Sequence, residues 1–133
     1  MSISQRLKSY LCWTGAALAV LFAGTVLTSP GQAQVAAKGK DTFDKRCAGC
    51  HAMDRDKEGP RLGGVYGRTA ASIATFQYSP ALQKSKIKWT DETLEKWLTD
   101  PEKLVPDNDM AFHVEDAGER RAIIAYLREG AAK

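Results

Sequence analysis

The chain has 133 residues with 19 basic and 16 acidic side chains, a net charge of +3 at pH 7. Setting aside Arg6 and Lys8, which precede the first acid at Asp41, leaves +1. So even a balance gives no basis for a nucleic-acid partner.

Residues 1–33 read as a signal peptide or an N-terminal membrane anchor. Arg6 and Lys8 are the only charges before Lys38, residues 11–27 form an uncharged, mostly apolar run, and Thr28, Ser29, Pro30 and Gly31 break it. That is a positive start, an apolar stretch and a polar exit. Gly31-Gln32-Ala33 offers small residues at both recognition positions, so cleavage is expected before Gln34. The apolar run is slightly long for a cleaved signal and slightly short for a span of about 20 residues, so a retained anchor through residues 11–27 is the second reading. Either way the rest of the chain lies outside the cytoplasmic membrane: exported to the periplasm, or anchored to the outer side of that membrane. Cys12 falls inside this segment and reads as a small apolar filler.

Residues 34–133 make one small domain with a thin core. A first helix is expected over 37–48, with Gly39 and Phe43 four apart on one face. It delivers Cys47-Ala48-Gly49-Cys50-His51, the C-x-x-C-H spacing of c-type haem attachment. Two thiols two residues apart can add to the two vinyl groups of a porphyrin, and the next residue places an imidazole beneath the iron. A zinc site would need two more ligands at suitable spacing, and only Cys12 and His113 remain. A dithiol redox site expects alternating strands and helices around it, and none are visible. A covalently held haem also supplies the apolar body that the short chain lacks, so the haem-free chain is expected to be largely unfolded.

After the motif, residues 52–71 carry Gly59, Pro60, Gly63, Gly64 and Gly67 and read as loop. A short segment comes next, Phe76-Gln77-Tyr78-Ser79-Pro80-Ala81-Leu82. Thr90 reads as a helix cap, with Asp91 and Glu92 in the first turn and Leu94, Trp97 and Leu98 on one stripe. Asp100-Pro101 closes that helix and starts another short turn. Residues 105–110 are loop. The last helix opens at Asp116 with Glu119 three residues on, buries Ile123, Ile124, Tyr126 and Leu127, and stops at Gly130. The expected architecture is all-α with long loops around one flat cofactor.

The residues from Gly39 to Arg128 resemble class I cytochrome c, the group of mitochondrial cytochrome c and bacterial cytochromes of the c2 type. Residues 89–112 match the family's W-x-x-x-T-L-x-x-Y-L-x-x-P-x-x-x-x-P-x-x-x-M-x-F without a gap. Gly59-Pro60-x-Leu62-x-Gly64, Gly67-Arg68 and Phe76-x-Tyr78-Ser79 match as well. The resemblance implies a cytochrome c fold, a small helical domain wrapped around one haem c held covalently by Cys47 and Cys50. It implies His51 and Met110 as the two iron ligands. A thioether in a loop can reach the face opposite His51, and as a soft ligand it favours ferrous iron. It places the Pro60 carbonyl as acceptor of the His51 ring N–H, which fixes ring orientation. It places Arg68, Tyr78 and Trp89 as donors to the haem propionates. Gly39, Phe43, Ile123 and Tyr126 fall on the crossing of the first and last helices.

Trp97 departs from the pattern. Many relatives have there a tyrosine that hydrogen-bonds the methionine sulfur, and an indole N–H could serve or point elsewhere. Asp107-Asn108-Asp109 replaces a more basic or Gly-Thr-type loop, and the stretch from His51 to Pro60 is shorter than in mitochondrial relatives. His113 reads as an exposed loop histidine.

The resemblance thus implies an electron carrier and not an enzyme: a monomer moving one electron through a His/Met-ligated, low-spin haem. Its implied partners are membrane redox complexes, from a quinol-oxidising complex to a terminal oxidase or reaction centre, with dehydrogenases as further donors. The alternative is a haem enzyme or a gas or peroxide sensor, which requires Met110 to be labile. Lys84, Lys86, Lys88, Lys96 and Lys103 are either a basic rim that steers docking to acidic partners or ordinary solvated faces.

Overall fold

The computed structural model describes residues 30–130. Arg6, Lys8, Cys12 and the apolar run at 11–27 lie outside the described residues. Among those described, no helix is long and apolar enough to cross a membrane.

Five helices succeed one another, with no strand among the described residues: α1 (Pro30–Arg46), α2 (Pro80–Ser85), α3 (Asp91–Thr99), α4 (Pro101–Leu104) and α5 (Ala117–Gly130). The fold is all-α, as expected, but α1 begins seven residues before the expected start at 37. Pro30 opens it, a position where a fixed φ and a missing N–H cost nothing. The expected cleavage before Gln34 would fall within α1, just after its first turn. At the other end Lys45 and Arg46 sit at the negative pole. The chain then winds on as a turn: the Cys47 and Ala48 N–H groups donate to the Phe43 carbonyl, and those of Cys50 and His51 to the Cys47 carbonyl.

α1 crosses α5 at Gly39. A Cβ there would sit 2.0 Å from the Ala122 carbonyl oxygen, so only glycine lets the backbones meet. Beside the crossing, the Phe43 and Tyr126 rings lie 5.4 Å apart. α3 packs on α5 through the expected stripe of Leu94, Trp97 and Leu98, all buried, against buried Ile123, Ile124 and Leu127. Thr90 caps α3 with a reciprocal pair: its Oγ accepts from the Thr93 N–H, and Thr93 Oγ accepts from the Thr90 N–H. Asp100 caps α4, and Asp116 accepts the Glu119 N–H at the start of α5.

The short segment at residues 76–82 leads into a helix. Ser79 caps α2 by accepting the Leu82 N–H, and Pro80 stands in its first turn. The long loop before it has no regular element and is tied down by backbone bonds. Gly67 and Ala70 donate to the Trp89 and Ile87 carbonyls, and Trp89 donates to Arg68. A polar cluster reinforces the tie. Tyr66 Oη donates to Asp91 at 2.8 Å, Arg128 pairs with the same carboxylate, and the Arg128 guanidinium lies 5.2 Å from the Tyr66 ring centre. Loop, α3 and α5 are thereby joined at one point.

Candidate functional site

The helices and the long loop enclose a cavity of about 620 Å³ with mainly apolar walls. That is within the range of small-molecule and cofactor sites. All nine residues singled out from the sequence line it: Cys47, Cys50, His51, Pro60, Arg68, Tyr78, Trp89, Trp97 and Met110.

One wall comes from the end of α1. Cys47 and Cys50 are free thiols, the first half-buried and the second exposed. Burial pushes the Cys47 thiol up to about 11, so in this apolar setting it stays protonated. His51 Nδ1 lies 2.7 Å from the Pro60 carbonyl oxygen. A carbonyl only accepts, so Nδ1 carries the hydrogen and Nε2 of the neutral ring is left as a lone-pair donor. Burial also holds the His51 pKa below its ordinary value, which favours that neutral form. Gly59 makes room for the ring: a Cβ there would lie 2.3 Å from His51 Cε1.

The loop after α4 supplies another wall and presents Met110. Trp97, on α3, donates its indole N–H to the Met110 sulfur at 3.1 Å. The indole therefore does reach the thioether. The Trp97 ring meets that of Trp89 edge-on, with centres 5.3 Å apart. Two residues that sequence reasoning does not single out hold the loop. Asn108 Oδ1 accepts the Met110 N–H at 2.7 Å, and its Nδ2 donates to the Val105 carbonyl at 2.9 Å. Glu102 accepts from the Asp107 N–H at 3.0 Å and from Asn108 Nδ2 at 3.3 Å. Asp107 takes a left-handed conformation with φ of 63°, and the Glu102 bond steadies it. The signal for Asn108 is its place two residues before Met110, where an Asx side chain closes a turn.

The remaining wall comes from the long loop and Trp89. Arg68 donates to the Gly63 and Arg61 carbonyls at 3.0 and 3.1 Å. Guanidinium has five N–H donors, so two such bonds do not exhaust it. Tyr78 packs edge-on against Phe76, and burial raises its pKa. Among the described residues no lysine lines the cavity, and Arg46 and Arg68 are the lining residues with a fixed positive charge. The five lysines considered for a basic rim are all exposed, and none of them forms the cavity wall. His113 is exposed, with a ring nitrogen 3.9 Å from Glu115.

The donor set fits a covalent haem. Two thiols, a bare imidazole nitrogen and a thioether border one apolar space, with polar donors at one part of its wall. Comparison with known proteins agrees. The family model for cytochrome c matches residues 36–131. Cytochrome c of Gibberella zeae is 38% identical over 96 residues, covering 69% of this chain and 91% of the relative. Cytochrome c 2.1 of Caenorhabditis elegans is 39% identical over 99 residues, covering 72% and 89%. Among solved structures, cytochrome cH from Methylobacterium extorquens superposes with a TM-score of 0.67 at 38% identity, covering 71% of this chain and 97% of that one.

Proposed function

The chain belongs to the cytochrome c family, whose members carry electrons on covalent haem c, and on that premise we propose that it is a single-haem carrier with His51 and Met110 as its two iron ligands. The observation that carries this reading is the pairing of a His51 ring held through Nδ1 with a Met110 sulfur held by Trp97, both on one cavity. When bound, haem supplies reversible one-electron chemistry. Cys47 and Cys50 hold it covalently. Pro60 fixes the imidazole, and the apolar walls keep water from the centre. Arg68, Tyr78 and Trp89 offer N–H and O–H donors to the propionates, whose burial would otherwise be costly. With His51 and Met110 both holding the iron, no position would be open to substrate or dioxygen, so the group would supply electron transfer without bond making.

On this reading the protein works as a monomer outside the cytoplasmic membrane, in the periplasm or tethered by residues 11–27. It carries electrons from a quinol-oxidising complex, or from dehydrogenases, to a terminal oxidase or reaction centre. Optical spectra of the haem-loaded protein test the ligation. A low-spin reduced spectrum indifferent to carbon monoxide, with the weak far-red sulfur-to-iron band when oxidised, is expected. Rapid carbon monoxide binding or a high-spin ferric spectrum would overturn it and put an enzyme or sensor in its place.

A further inference from the structure

Phe112 lines the cavity yet is 41% exposed, and Val35 is the only other large hydrophobic residue so exposed among the described residues. Ala111 beside it is exposed too. An aromatic ring set in both a cofactor wall and solvent is a place where a partner can come close to the redox centre. The bases against this loop are Arg46, tied to Glu119, Arg120, tied to Glu95 at 2.7 Å, and Lys38 and Arg121, which act on Asp116, so the exposed charge left beside Phe112 is that of Asp107, Asp109 and Glu115. From Leu104 to Glu119 every ionised side chain is acidic: Asp107, Asp109, Glu115, Asp116 and Glu119. Asp109 lines the cavity and is exposed, as are Asp107 and Glu115. The Glu119 N–H holds the Asp116 carboxyl below its usual range, so it stays ionised. Arg46, the exposed base of the cavity wall, is paired with Glu119 at 3.2 Å. The net positive charge of the chain therefore resides elsewhere.

We propose that the partner seated on the Phe112 rim is a redox protein with lysine or arginine residues around its own redox centre. The sign is opposite to the basic rim considered from the sequence. This inference rests on the carrier reading, and it adds the chemistry of the partner. Complementary charge of this kind acts mainly on the encounter rate and is screened by salt.

Two small oxidants of opposite charge probe the face. Each takes one electron from the ferrous haem-loaded protein: tris(phenanthroline)cobalt(III), a cation reduced to cobalt(II), and ferricyanide, an anion reduced to ferrocyanide. Stopped-flow rates are measured at low and at physiological ionic strength. The rate with the cobalt cation is expected to fall as salt rises and that with ferricyanide to rise, against the sign of the net charge. In the variant Asp107→Lys/Glu115→Lys the low-salt cobalt rate is expected to drop by about threefold or more. In Lys84→Glu/Lys88→Glu it is expected to stay as it was. The opposite salt trend in the wild-type protein, or an effect confined to the lysine variant, would overturn the proposal. Spectra recorded first keep the two readings apart. Carbon monoxide binding would defeat the carrier reading before any salt trend is measured. A low-spin, carbon monoxide-indifferent protein with the wrong trend would defeat the docking face alone.

Discussion

At the scale of single residues, the proposed ligation would make the contact between Trp97 and Met110 set an electronic property. An N–H aimed at the sulfur at 3.1 Å draws electron density from a thioether ligand, and so favours ferrous iron. Replacing Trp97 by Phe keeps a ring in the α3 stripe and removes the donor. A neutral hydrogen bond is worth about 1 kcal/mol, which is roughly 40 mV for a one-electron couple. The reduction potential of Trp97→Phe is expected to fall by up to that amount in a redox titration; an unchanged or higher potential would refute this role. Gly59 acts by space alone. With a Cβ only 2.3 Å from His51 Cε1, Gly59→Ala displaces the ring, and the variant should yield little low-spin holoprotein when expressed beside the wild type. The cavity residues are largely legible in the sequence because they stand in contiguous motifs, the C-x-x-C-H pentad and the run from Trp89 to Phe112. The sequence leaves open whether the indole at 97 turns toward the sulfur, because that depends on how α3 rotates against the loop.

At the scale of elements, the loop between α4 and α5 is a built support. Glu102 and Asn108 together hold three hydrogen-bond donors of the loop, counting the amide N–H of Asp107 and of Met110 and the side-chain amide of Asn108. Loss of the Asn108 acceptor in Asn108→Ala leaves the Met110 N–H without its partner, at a cost of about 1–2 kcal/mol. The far-red sulfur-to-iron band of the oxidised variant should then vanish at a lower pH than in the wild type, as read in a spectrophotometric pH titration. A band that persists to the same pH would show that Trp97 alone holds the sulfur. Here the sequence is partly silent. Helix caps at Thr90, Asp100 and Asp116 announce their elements, since each cap is a local signal. Pro30 and Pro80 at helix starts are equally local but ambiguous, because a polar, small-residue context favours exit or turn as readily as initiation. The Tyr66, Asp91 and Arg128 cluster joins three distant segments, so no window of sequence contains it.

At the scale of the whole molecule, much of what would be core is a cavity of about 620 Å³. A domain this small cannot leave such a space empty and remain firmly folded. Haem-free protein made with Cys47→Ala/Cys50→Ala is expected to show weak helical circular dichroism and no cooperative melt; a sharp melt would refute this. The holoprotein should also be sensitive to acid. Arg128, first, and Tyr66 hold the Asp91 carboxyl below its ordinary value. Its stabilisation is fully present above about pH 4, the unfolded value, and is lost as pH falls through the lower folded value, because the unfolded chain takes up the proton first. Asp91→Asn should therefore melt below the wild type at pH 7 and alongside it near pH 2; a gap of equal size at both would assign the effect to packing. The close crossing of α1 and α5 at Gly39 has a consequence in time. Its two halves stand at opposite ends of the described chain, so it closes the longest loop in the domain, and a chain made from its N-terminus cannot form it until the last helix exists. Cys47 and Cys50, just beyond the first half, wait through nearly the whole of synthesis with that clasp open. A clasp that closes only around haem leaves both thiols within reach until haem is in place.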